Sequence, residues 1–168
     1  HRLAHDLRDK HSAAQAMPRL NHRSASCGRC RTERSISATA SAGARRRIHF
    51  ENYIFRCDAT GERFAEALIA RAREGITVRV LYDWLGCFST PRRFWRRMTD
   101  AGIDVRVFGP PMLRDPFAFI TRDHRKVMVV DGDRGITGGH CIGDEWAGDP
   151  ARGQRPWRDT AVELTGPA

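Results

Sequence analysis

The chain has 168 residues, enough for one domain with a genuine core and no more than one and a half. No run approaches 18 apolar residues, so these residues hold no membrane-spanning helix, and no apolar segment near the start reads as a secretory signal. The net charge of +9 suggests a nucleic-acid partner until it is located: residues 1–47 carry eleven Lys and Arg against three acids, and the rest carry eighteen against seventeen.

Residues 1–47 hold no Val and no aromatic residue, and Ser, Ala, Arg and His dominate. Such a stretch buries too little apolar surface to offset its ordering entropy, so it is expected to be a basic leader, disordered or loosely attached, with a short helix over 2–17. Within it, Cys27 and Cys30 with His22 offer at most three zinc ligands where a structural site wants four. Neither a metal nor another cofactor is expected. Five cysteines without a secretory signal point to reduced thiols in a cytosolic setting.

Order is expected to begin at Ile48. Residues 48–55 alternate and are rich in aromatic and branched side chains, which predicts a strand. Asp58 or Thr60 can cap a helix running to about Glu74, with Phe64, Leu68, Ile69 and Ala72 on one face and Gly75 ending it. Residues 77–82 form the next strand. Thr90 as N-cap, followed by Pro91 in the first turn, opens a helix to about Ala101 that buries Phe94, Trp95 and Met98 and closes at Gly102. Residues 103–108 are the third strand. A loop of about fifteen residues, long enough to suggest a functional role, then leads to a strand after Asp123. Residues 134–138 and 159–165 supply the last two strands. This order describes an α/β sandwich with a mixed sheet over residues 48–168.

The chemistry concentrates in residues 124–131, which read HRKVMVVD and fit the spacing H-x-K-x4-D, with Gly138 and Gly139 following. Side chains alternate along a strand, so His124 and Lys126 share one side, about 7 Å apart along it, while Val127 and Val129 turn the other way into a core. An imidazole and an ammonium so placed can grip one phosphate: the histidine attacks phosphorus and the lysine holds the charged oxygens. Of 29 basic residues only Lys10 and Lys126 are lysine, so a chain that otherwise uses arginine places a compact point charge at the motif. Asp131 can also cap a turn with Gly132. Trp84, Trp95, Trp146 and Trp157 read as packing residues. Arg92, Arg93, Arg96 and Arg97 read as a solvated helix face that could meet anionic head groups.

Residues 124–139 resemble the catalytic motif of the phospholipase D superfamily, and residues 48–168 look like the N-terminal catalytic half of its bacterial cardiolipin synthase-like members. That likeness rests further on residues 51–55 (ENYIF), 75–81, 83–86 (DWLG), 123–126, 143–146 (GDEW) and 156–159 (PWRD). It implies one half of a two-lobed α/β/α enzyme. The implied activity is cleavage of anionic phospholipid and transfer to an alcohol acceptor through a phosphohistidine. His124 would be nucleophile or acid/base and Lys126 the phosphate clamp. Asp131 would be the motif acid at the strand end, counted with the catalytic set, and Asp159 the carboxylate that orients the histidine. Gly138, Gly139 and Cys141 would join Lys126 in holding phosphate. A second histidine would come from a second catalytic half or a second copy of the chain, at a membrane surface on the cytoplasmic side.

Three departures stand out. Cys141, a weak donor, occupies the place of the family's asparagine, where His140 or a backbone N–H could substitute. There is one motif instead of two, and residues 1–47 match nothing expected upstream. The last two suggest a fragment of a longer reading frame, its leader out of frame. The rival readings are a single-motif homodimeric nuclease, which the near-neutral 48–168 region argues against, and a truncated chain without catalytic function.

Overall fold

The computed structural model describes residues 21–23, 43–111, 120–148 and 153–166. Seven strands form one mixed sheet in the order β1-β7-β6-β5-β2-β3-β4. They are β1 (Asn21–Arg23), β2 (Arg47–Asn52), β3 (Thr77–Asp83), β4 (Asp104–Phe108), β5 (Lys126–Val130), β6 (Arg134–Gly138) and β7 (Ala161–Thr165). Strands β2, β3 and β4 are parallel, joined by helices α1 (Ala59–Arg73) and α2 (Arg92–Asp100). Strand β5 lies antiparallel against β2, and β6, β7 and β1 continue antiparallel outward.

The core lies between the sheet and these helices. Ile48, Phe50, Val78, Val80, Met128 and Val130 meet Phe64, Leu68, Ile69, Phe94, Trp95 and Met98, all buried. Phe55 sits among Phe50, Phe64, Phe94 and Trp95, with ring centroids 5.1–5.8 Å away. Gly75 and Gly102 end their helices at φ 86° and 89°, the left-handed conformation that favours glycine. Asp58 is the α1 cap, its side chain accepting from Gly61 N–H at 2.8 Å.

Three expectations are corrected. Val127 and Val129 do not point into this core: the register pairs Ile48 with Val130, Phe50 with Met128 and Asn52 with Lys126, so Lys126, Met128 and Val130 share the helix-covered face. Val127 and Val129 sit half-buried on the opposite face, in an open groove with Glu51, Arg79, Leu81 and Arg106. Thr90 does not cap α2. Its hydroxyl donates to the buried carbonyl of Phe55, and Pro91 stands at the N-cap without a side-chain bond. The strand expected over residues 48–55 is β2 and stops at Asn52, beyond which Phe55 makes an isolated bridge to Ile142. Within the expected leader, Asn21–Arg23 pairs with β7, and the backbone of Arg45, Arg46 and Arg47 is bound by Asp131. The helix expected over 2–17 and the Cys27/Cys30 pair lie outside the described residues.

Candidate active site

The sheet topology gathers the motif. The C-terminal ends of β2, β3, β4 and β6 and the N-terminal ends of β5 and β7 fall on one edge of the sheet. The segments after Asn52, Asp83, Phe108 and Gly138 therefore meet those before Lys126 and Ala161. In open α/β sheets this is where ligand sites collect.

His124 is exposed and stands just before β5, whereas Lys126 is buried at its first position, only 8% exposed. Lys126 Nζ lies 3.0 Å from Nδ1 and 3.1 Å from Nε2 of His124 and donates to the His124 carbonyl at 2.8 Å. Burial lowers the lysine's pKa, opposed by neighbouring Cys141, Asp159 and Asp123. Tyr53, just past β2, completes the group: its ring centroid is 4.5 Å from that of His124, and Lys126 Nζ is 5.0 Å from the Tyr53 ring centre. The two motif side chains thus touch, closer than the spacing along the strand suggests.

The paired glycines have a steric explanation. A Cβ on Gly138 would overlap the Thr160 carbonyl, and one on Gly139 would overlap the Asp159 carboxylate. Gly139 N–H donates to Thr160 O at 3.2 Å. Asp159 accepts from Thr160 N–H at 2.8 Å and has no hydrogen bond to His124; its charge acts on Lys126, His140 and Cys141. Cys141 is buried and its thiol pKa is pushed up by burial, against Ile54 N–H and Lys126. Burial also lowers the His140 pKa, with Asp159 opposing.

Asp131 stands apart. It follows the last residue of β5, some 17 Å from Lys126 at strand rise. At φ 56°, its Oδ2 accepts from Arg45 N–H at 2.7 Å, and Oδ1 from Arg46 and Arg47 N–H at 2.8 and 2.9 Å. These bonds hold its pKa low against burial. A carboxylate occupied with the start of β2 cannot reach a phosphate held by Lys126. Its contribution is to the sheet.

Two carboxylates beside the motif went unassigned in the sequence. Asp123 accepts from Arg125 Nε at 2.9 Å and from Nη2 at 3.3 Å, and it shares a side-chain hydrogen bond with Glu51. Arg125 Nη2 also lies 2.8 Å from Glu51 Oε1, an ion-pair contact without hydrogen-bond alignment. Burial, then the Asp123 bond and charge, push the Glu51 pKa up to about 7. Burial would raise Asp123 as well, but its bonds from Arg125 and Glu51 hold it low. Tyr53 was equally missed; the ENYIF run holds it, but nothing local says that its ring meets residue 124.

The structure thus sets a histidine–lysine pair at the end of a mixed α/β sheet where ligand sites collect. Residues 39–145 match the family described as cardiolipin synthase, phospholipase D-like domain, and the chain belongs to that family. It is 39% identical over 143 residues to the major cardiolipin synthase ClsA of Bacillus subtilis, covering 84% of this chain and 29% of that protein. It is 41% identical over 131 residues to cardiolipin synthase A of Pseudomonas aeruginosa, covering 77% and 26%. The chain therefore spans less than a third of the length of these relatives. Among solved structures, the phospholipase D family member Nuc from Salmonella typhimurium superposes with a TM-score of 0.56 at 20% identity, over 80% of this chain and 76% of that one.

Proposed function

We propose that residues 48–168 form one catalytic half of a phosphatidyltransferase of the cardiolipin synthase kind, acting on anionic phospholipid. The observation that carries this reading is the contact between His124 and Lys126 at the ligand edge of the sheet. A ring nitrogen of His124 attacks phosphorus, the bond to the leaving alcohol breaks, and a phosphohistidine forms. The leaving oxygen takes its proton from a second histidine, supplied by another catalytic half or a second copy of the chain. An acceptor alcohol then attacks the phosphohistidine, giving its proton back to that second histidine and freeing His124. The Lys126 ammonium stabilises the charge that develops on the non-bridging oxygens, and burial strengthens that effect. Asp159 supplies a negative charge beside Lys126 and His140, and Gly138, Gly139 and Cys141 line the phosphate pocket.

A membrane surface is the place of action this reading requires. Phe88, Ile120 and Trp157 are 71%, 62% and 60% exposed, and all three lie on loops at the edge that carries His124. Arg92, Arg93 and Arg96 project from the helix beginning there and suit anionic head groups. The near-even charge of residues 48–168 favours lipid over nucleic acid. The test is covalent trapping: brief incubation with phosphatidylglycerol vesicles, a non-acidic quench, and mass mapping of the adduct. A phosphatidyl adduct on His124 that is absent from His124→Ala is expected. Turnover with an adduct elsewhere, or with none, would overturn the proposal.

A further inference from the structure

We infer that Asp83, through the turn it organises at residues 83–87, is a positioning residue for His124; the inference rests on the reading of His124 as the phosphate-reactive group. Asp83 ends β3 and is 2% exposed. A carboxylate so buried is costly unless its oxygens are matched. Backbone donors match them: Oδ1 accepts from Leu85 and Gly86 N–H, each at 2.9 Å, and Oδ2 accepts from Asp123 N–H at 2.9 Å. The first two bonds close the turn. The third ties it, across forty residues of sequence, to the residue immediately before His124.

The same turn reaches His124 by a second route. Gly86 passes the backbone of Tyr53 so closely that a Cβ there would overlap the Tyr53 carbonyl. Cys87 Sγ accepts from Phe55 N–H at 3.2 Å and donates to the Tyr53 carbonyl at 3.5 Å. The Tyr53 ring then packs against the imidazole. An exposed histidine preceding its strand is thus fixed on one side through the backbone of the residue before it and on the other through a ring, and both supports trace to one buried carboxylate. A displacement of about 1 Å at such a group costs about 10²-fold in rate.

Asp83→Asn separates positioning from folding. The amide oxygen can still serve Leu85 and Gly86, but its NH₂ would face the N–H of Asp123, donor against donor. The 168-residue chain would be studied as wild type, Asp83→Asn, Cys87→Ala and the surface control Glu74→Gln. Thermal melting checks the fold, the proton NOE between the Tyr53 and His124 rings reports position, and turnover of phosphatidylglycerol vesicles reports function. Asp83→Asn is expected to melt cooperatively and to lose most of the ring–ring NOE. Its kcat should fall about 10²-fold with KM within about twofold of wild type. Cys87→Ala, which cuts only the Tyr53 route, should weaken the NOE partially, and Glu74→Gln should change nothing. A folded Asp83→Asn with the NOE and kcat of wild type would overturn the inference. If Asp83→Asn fails to fold, an unchanged NOE in Cys87→Ala overturns it instead. If the wild-type chain shows no turnover, completion of the site by a second copy has failed, and the NOE comparison still decides whether Asp83 positions residue 124.

Discussion

Glu51 gives the chain a stability that depends on pH, and replacing it with glutamine should remove that dependence. The carboxyl titrates at about 7 in the fold, against an ordinary 4.5, because burial and the adjoining Asp123 disfavour its charge. A group that holds its proton more tightly when folded stabilises the fold fully below the unfolded value, and this stability drains away as pH rises through the folded value. A gap of about 2.5 at 1.36 kcal/mol each would amount to about 3 kcal/mol. The Glu51 side chain is 23% exposed and its Arg125 partner 66%, so solvent screening brings the effect to about 2 kcal/mol. Glutamine keeps the shape and can still bond to Asp123, but it never ionises. Melting curves followed by circular dichroism from pH 5 to 8.5 should show wild type losing several degrees relative to Glu51→Gln, on the order of 5–10 °C. Burial lowers His49 and His140, so they act oppositely in this range, but they are common to both proteins and cancel in the difference. Parallel curves would refute the reasoning.

Asp131→Ala should cost about 2 kcal/mol of stability, through three lost backbone bonds and alanine at positive φ, while folded molecules keep their turnover. Denaturant titration with a per-folded-molecule assay checks this. The depressed Asp131 pKa also adds stability that wild type loses as pH falls through the folded value, so the variant should acid-denature less steeply. Lys126→Arg should fail to restore activity lost in Lys126→Ala, because a planar fork does not fit a buried point charge packed on Tyr53 and His124; steady-state kinetics of the pair decide it. Cys141→Asn, of similar volume, should tighten inorganic phosphate about tenfold by adding a true donor near Lys126, measured by calorimetry.

Much of the helical layer was legible because its signals are local. Phe64, Leu68 and Ile69 repeat at helical spacing, and Gly75 and Gly102 stop the helices where the sequence places them. Alternation put Val127 and Val129 on the side away from Lys126, where they are, but with apolar residues at both parities of β5 it could not say which face the helices cover. That depends on β5 inserting antiparallel beside β2, a pairing some 80 residues distant in sequence. The motif was legible as H-x-K-x4-D, yet its spacing grouped Asp131 with His124, although the strand holds them at opposite ends. The supports of His124 were not legible for the same reason: Asp83 to Asp123 spans forty residues, and Tyr53 to His124 seventy-one. Burial, not residue type, makes Glu51 titratable near neutrality, and no periodicity encodes that.

On the proposed function, His124 and Lys126 make half of a phosphodiester-transfer site that a second copy of the chain can complete. The most direct measurement is turnover of phosphatidylglycerol vesicles by the purified chain as its concentration is raised, beside His124→Ala. The rate should climb faster than linearly with chain concentration and vanish in the variant. A strictly linear rate, or turnover that survives loss of the imidazole, would contradict it; silence at every concentration would contradict completion by a second copy.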